Sequence, residues 1–265
     1  MTQQHTEHGN REIALGGEIL RTVVGSGVHG IAIEGTDDHD EMGVFIEPEE
    51  CIIGARRPVD HYVYRTQPEG ARSGPGDTDL VMYSLRRYLR LATKGNPTAL
   101  LPLFAPRDDV LTITPLGEEL RGLGPAFLSR QAVHRFLGYM ESQREKLLGG
   151  RKGAPSRPEL VARHGYDTKY ASHALRLAHE GLEIVRDGRL TLPMPGPARE
   201  RVRQVKRGEV PSLHEVVAEI DGIRDEVQAR LQAGHTPLPE QPDVVRISAW
   251  SVSAHRRHWG WMASA

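Results

Sequence analysis

Apolar residues fall into two regimes of spacing along this chain. Up to about residue 115 they come in short runs separated by glycine-rich or acidic turns; beyond about residue 125 they recur every three or four positions. Short runs bounded by turn residues predict strands, and the longer period predicts amphipathic helices. Val23-Val24 delivers the chain to a Gly25-Ser26 turn, and Met42–Ile46 is apolar without alternation, as in a strand covered on both faces. Glu12–Leu20 suits a short helix or strand ahead of that turn, and residues 1–10 read as a flexible tail. Ile52-Ile53 with His61–Tyr64 reads as a further strand, residues 66–78 as a mobile Gly/Pro loop, and Asp79–Tyr83 as a strand entered through a carboxylate.

Ser84–Thr93 places Leu85, Leu89 and Ala92 at helical spacing, with Ser84 as N-cap and Gly95-Asn96-Pro97 as the stop. Leu100–Phe104 is a short apolar segment and Pro106–Pro115 a connection. In the second regime, helices are predicted over Ser129–Leu148, over Asp167–Arg186 and from the Ser212-x-x-Glu215 capping box to Gly234. Gly149–Pro158 reads as a basic linker, Pro193–Pro197 as a break, and Val244–Trp259 as a short final helix. The expected organisation is α+β: an α/β domain over residues 11–115, then a helical domain over 125–259.

Composition narrows the classes. With 265 residues the chain has ample core for one large domain or two small ones. A net charge of -1 removes any global basic field, so nucleic-acid contact would have to use local clusters. The single cysteine, Cys51, excludes an intramolecular disulfide and a zinc site built from several thiolates, and reads as a small buried apolar residue. No apolar run reaches the length of a membrane span, and the N-terminal stretch lacks a signal-peptide core. A cytoplasmic protein without a membrane partner is expected.

The chemistry concentrates around Asp38-x-Asp40. Residues two apart on a strand share a face, so both carboxylates enter one space, where they repel unless a cation or proton lies between them. Mg²⁺ favours such oxygen ligands together with substrate phosphates, and a Gly-Ser turn leaves backbone N–H groups free for phosphate oxygens. Asp79 offers a third carboxylate at a strand start, with Asp77 two residues earlier as the alternative. Two Mg²⁺ ions (or Mn²⁺) on such a set would serve phosphoryl or nucleotidyl transfer. Further on, Lys169, His173 and Arg176 stand at i, i+4 and i+7, a cationic stripe near a helix N-terminus that suits polyphosphate and equally suits a solvated basic face. His255-Arg256-Arg257-His258-Trp259 reads first as a helix docked by its tryptophans and second as an RNA contact. Arg86, Arg87 and Arg90 face solvent or a nucleic acid.

Four stretches together resemble a known group. They are Gly25-Ser26-x-x-His29-Gly30, Asp38-x-Asp40-x-x-Gly43-Val44-Phe45, the run from Tyr83 to the Lys94-Gly95-Asn96-Pro97 segment, and Gly165-Tyr166-Asp167-x-Lys169-x-Ala171-x-His173-x-x-Arg176-Leu177. The combination is similar to the DNA polymerase beta-like nucleotidyltransferase superfamily, and within it to the predicted nucleotidyltransferases associated with bacterial and phage RNA repair. The resemblance spans residues 20–245. It implies a short mixed sheet with flanking helices, then a C-terminal helical domain that closes on the nucleotide. It implies Mg²⁺-dependent transfer of NMP from an NTP such as ATP to an acceptor hydroxyl, foremost an RNA end, with pyrophosphate released. Transfer to a protein or small molecule, or a nucleotide-binding regulatory module without turnover, are the alternatives. Carried over by position, Asp38, Asp40 and Asp79 are the catalytic and metal-binding carboxylates, and Gly25, Ser26, Lys169, His173 and Arg176 bind the nucleotide. Glu41-Met42 departs from the family's Ile/Tyr-Arg at this place, which removes any contact made by that arginine. Base preference and oligomeric state are written in none of these motifs.

Overall fold

The turn-rich half of the chain builds a mixed sheet, and the periodic half builds helices. The structure, a computed structural model, describes residues 5–35, 37–150 and 157–261. In chain order come β1 (Thr6–His8), α1 (Arg11–Gly16), β2 (Glu18–Val23), α2 (Gly25–Val28), β3 (His39–Phe45), α3 (Glu49–Ile52), β4 (His61–Arg65) and β5 (Thr78–Ser84). Then follow α4 (Leu85–Ala92), α5 (Pro97–Phe104), β6 (Val110–Ile113), α6 (Pro115–Gly122), α7 (Gly124–Phe127) and α8 (Arg130–Leu147). After these are α9 (Pro158–His164), α10 (Thr168–Asp187), α11 (Gly196–Arg207), α12 (Leu213–Ala233) and α13 (Val244–His258). The chain divides into two units. Unit 1 takes the residues up to Thr93, Thr98–Phe127 and the chain from Asp243 onward; unit 2 takes Lys94–Pro97 and Leu128–Pro242.

In unit 1 the strands lie in the order β1-β4-β5-β3-β2-β6. Central strands β3 and β5 run parallel, and every other pairing is antiparallel. Phe45, Tyr62, Leu80 and Met82 bury one sheet face against Ala14 of α1. Gly43 leaves room for Met82 beside them, since a Cβ there would fall 2.8 Å from Cγ of Met82. Ser84 ends β5 and caps α4, its Oγ accepting from the Arg87 N–H at 3.4 Å.

Local spacing misreads three places here. Thr6–His8, expected within a tail, pairs with β4 as β1, and Tyr62 donates its hydroxyl proton to Glu7 at 2.8 Å; residues 1–4 lie outside the described residues. Ile52 belongs to the helical turn α3, whose first-turn Glu49 and Glu50 suit a helix N-terminus, so the strand is His61–Arg65 alone. The connection Pro106–Pro115 contains β6, which completes the sheet edge on β2 through Leu20 and Ile113.

Unit 2 is arranged around α10, which packs against α8, α9, α11 and α12. Small residues Ala171, Ala174, Ala178 and Gly181 permit that crowding, and a Cβ on Gly181 would sit 3.6 Å from Cβ of Phe136 on α8. The predicted stripe of α8 (Val133, Phe136, Leu137, Met140, Leu147) is buried, and Ser129, Asp167 and Ser212 cap α8, α10 and α12, the last being the Ser of the predicted capping box. Two helices escape the pattern. α11 shows only Val202 and Val205 as buried apolar positions among its arginines, and α9 opens on a proline inside the presumed linker, most of which (151–156) lies outside the described residues. Gly95 packs on α8: it has φ +69° and a Cβ would meet Cα of Ala132 at 2.4 Å. Its neighbour Asn96 donates to the Tyr139 hydroxyl at 3.0 Å instead of capping α4, whose C-cap is Thr93.

The helical domain expected over 125–259 also breaks near its end, since α13 groups with unit 1. Trp250 donates to Glu119 at 2.8 Å, Arg257 reaches both Glu119 oxygens at 2.6 and 2.7 Å, and Trp259 donates to the Glu47 carbonyl at 2.9 Å. Docking by the tryptophans is therefore the observed arrangement. Arg86, left open above, pairs with the Glu47 carboxylate at 3.3 Å, while Arg87 and Arg90 are exposed. Cys51 is buried, as its type suggested.

Candidate carboxylate metal centre

The parallel register of β3 and β5 decides what meets what. It sets His39 beside Thr78 and Asp40 beside Asp79, on strands about 4.8 Å apart. Asp38 precedes β3 by one residue. One ligand oxygen from each of Asp38, Asp40 and Asp79 lies within 4.8 Å of the others, and all three side chains are half-buried. Three hard oxygen donors at that separation could hold a metal ion; by donor type the set fits Mg²⁺ or Mn²⁺ and not a soft, thiolate-seeking metal.

The glycine turn is pressed against this set. Gly25 has φ +64°, and a Cβ on it would stand 2.0 Å from Oδ2 of Asp40. Only glycine satisfies both conditions. The Val24 N–H donates to the Asp40 carbonyl at 2.9 Å, which ties the end of β2 to the start of β3. Ser26 is half-buried in α2, and its carbonyl accepts from Ile31 N–H at 3.1 Å. A cavity of about 290 Å³ opens here, lined by Gly27, Ile33, Asp38, His39 and Asp40 among others.

The structure distinguishes Asp79 from Asp77. Oδ1 of Asp77 accepts from the Thr66 hydroxyl at 2.9 Å and Oδ2 from the Gly74 N–H at 2.9 Å, which closes the 66–77 loop. Asp79 instead accepts from Nε2 of Gln67 and from Oγ of Ser73, each at 2.7 Å, with Nε of Arg65 at 3.9 Å. The loop expected to be mobile is thus stitched to the third carboxylate. Gln67 and Ser73 on the loop, and Arg65 at the end of β4, surround the third carboxylate, and sequence reasoning missed them because nothing local marks a side chain that reaches a strand six to fourteen positions on. Where the family's arginine is lacking, Glu41 pairs with Arg21 at 3.0 Å and with His39 at 3.2 Å, and Arg21 also meets Glu18 at 2.8 Å. Burial pushes the Glu18 carboxyl above its ordinary range, against the pull of Arg21.

Unit 2 carries the cationic stripe. Asp167 caps α10 by accepting from the N–H groups of Lys169 and Tyr170, both at 3.1 Å, and meets Arg157 at 3.3 Å. Lys169, His173 and Arg176 are half-buried, and Arg176 is paired with the buried Glu180 at 2.9 Å. Burial holds the His173 imidazole well below its ordinary pKa, and the positive charges of Arg176, Lys169, Lys206 and Arg157 hold it further. His173 is therefore neutral at pH 7, surrounded by four cations. Lys206, from the unpredicted α11, and Arg157 extend the stripe beyond what its spacing revealed.

Converging carboxylates beside a glycine turn on a mixed sheet have the donor chemistry of enzymes that transfer phosphoryl or nucleotidyl groups with a metal's help. The family described as "RNA repair pathway DNA polymerase beta family" matches residues 5–229, most of the chain. The chain belongs to this family and is a transferase of nucleotidyl groups. Among solved structures it is similar to a nucleotidyltransferase-like protein from Exiguobacterium sibiricum 255-15, at 11% identity over 91% of this chain and 72% of that one, with a TM-score of 0.29. No curated protein matches it. Among the described residues no helix is long and apolar enough to cross a membrane.

Proposed function

We propose that this protein is a Mg²⁺-dependent nucleotidyltransferase that moves NMP from an NTP, ATP among them, to the hydroxyl of an RNA end and releases pyrophosphate. The observation that carries the reading is the meeting of Asp38, Asp40 and Asp79 within 4.8 Å in a chain of this family. Asp38 and Asp40 would hold the ions, and Asp79, fixed by Gln67 and Ser73, would complete the acceptor side. Bound Mg²⁺ supplies charge for the triphosphate and lowers the pKa of an attacking hydroxyl. Gly25 lets the backbone of the turn lie against the Asp40 carboxylate, and its neighbour Ser26 would meet the triphosphate. On unit 2, Lys169 and Arg176 supply charge for polyphosphate, and His173, being neutral, can offer a hydrogen bond to it without adding a cation. The single cysteine fits a reducing, cytoplasmic setting.

The test is incorporation of label from each of the four α-labelled NTPs into total RNA, with Mg²⁺ and with EDTA. Transfer that needs the ion and falls by about a thousandfold or more in Asp38→Ala or Asp40→Ala is expected. Label found only in protein, or on no acceptor while NTP still binds, overturns the RNA-end reading.

A further inference from the structure

Unit 1 has a second cavity, of about 900 Å³, that the carboxylate centre does not explain. Ile13 and Gly16 of α1, Ile46 just after β3, and Trp259 at the end of α13 line it, with Arg56 and Arg57 also in the wall. Ile46 lies six residues along from Asp40, so the cavity is about 20 Å from the carboxylates at the usual strand rise. One mononucleotide cannot occupy both.

The wall combines an apolar floor, an aromatic ring and an excess of positive charge. Trp259 is half-buried and fixed, its indole N–H donating to the Glu47 carbonyl at 2.9 Å. Its ring meets His255 edge-on at 5.3 Å and Trp261 at 5.2 Å, and Trp261 is 52% exposed. Arg56 and Arg57 are exposed, and neither has an ion-pair partner among the described residues. Other arginines of unit 1 are committed to carboxylates: Arg21 to Glu18 and Glu41, Arg86 to Glu47, Arg257 to Glu119. Glu12 is the one carboxylate in the described lining, so two guanidinium groups outweigh it. The volume is that of a small-ligand site, and a preset aromatic ring beside free guanidinium groups matches a planar base joined to a phosphate.

We propose that this cavity binds a nucleotide unit, with its base against Trp259 and its phosphate on Arg56 and Arg57, at a site separate from the carboxylate centre. A free nucleotide and one unit of single-stranded RNA share this chemistry.

The experiment titrates the full chain with AMP and, in parallel, with a single-stranded oligoadenylate, in EDTA so that no divalent ion supports the carboxylate site. Binding is read by calorimetry and by tryptophan fluorescence. Saturable binding is expected, weakened about tenfold or more in the double variant Arg56→Glu/Arg57→Glu. It is expected to survive in Asp38→Ala/Asp40→Ala and in Arg87→Glu/Arg90→Glu, which makes the same charge change outside the cavity. Trp259→Phe should remove most of the fluorescence response. Saturation by AMP identifies a free-nucleotide site, and saturation by the oligomer alone identifies a strand site. The proposal is overturned if neither ligand binds, if Arg56→Glu/Arg57→Glu binds like wild type, or if either control pair abolishes binding. Because no transfer is measured, this outcome is independent of the RNA-end reading.

Discussion

Gly25 shows how one missing side chain shapes the carboxylate centre. Its backbone conformation costs an L-residue roughly 1–2 kcal/mol, and the room for a Cβ is already taken by the Asp40 carboxylate. Gly25→Ala is therefore expected to lose stability on that scale and to lower NMP transfer by about a hundredfold, since Asp40 must turn away. Gly27→Ala, whose Cβ would meet only Cγ1 of Val23 at 3.1 Å and whose backbone is not left-handed, should change both far less. Urea midpoints and transfer rates of the two variants check this, and equal losses would remove the special role of Gly25. His173 makes the second residue-level expectation. Its folded form resists a proton that the unfolded chain accepts near the ordinary pKa of 6.5, so stability falls as the pH drops below about 6.5 and is unaffected above it. His173→Gln should lack that part of the acid loss. Urea unfolding of both proteins at about pH 7.5 and about pH 5.5 reads the difference, and an identical acid shift in the two would mean His173 is not held neutral.

At the scale of elements, one carboxylate gathers two side chains of α13. Glu119 takes the indole proton of Trp250 and two guanidinium protons of Arg257. Its side chain is 39% exposed, so solvent screening keeps the expected loss in Glu119→Gln near about 1 kcal/mol by urea denaturation. Arg257 first, and Trp250 after it, hold the Glu119 carboxyl below its ordinary 4.5. The contribution is thus complete above about pH 4.5 and fades below it, and the gap between variant and wild type should narrow in acid. The sequence announces α13 as a helix by its period and its tryptophans, yet it cannot say where the helix docks. The receiving groups, Glu119 and the Glu47 carbonyl, lie 131 and 212 positions from the tryptophans they bind. β1 and β6 escape for a related reason: with three and four residues they are too short to show alternation, and only their partners β4 and β2 make them strands. Caps are the opposite case. Ser84, Ser129, Asp167 and Ser212 act within three residues of themselves, so each is legible from the chain alone.

Across the whole molecule, the centre was legible as far as Asp38-x-Asp40 because those two residues need only one strand to meet. Choosing Asp79 over Asp77 needed the register of β3 on β5, and the residues that steady Asp79 needed the path of a loop. The division into units has a further consequence, which concerns time. Unit 2 interrupts unit 1 between Phe127 and Asp243. A ribosome adds about 5–20 residues per second, so Glu47 and Glu119 are exposed for at least roughly 6–23 s before their partners in α13 are even synthesised. A nascent chain stopped in that interval already carries Asp38, Asp40 and Asp79 but lacks α13. The strands that carry the three carboxylates are thus made well before α13, which can dock on Glu119 and Glu47 only after the whole helical unit has been synthesised.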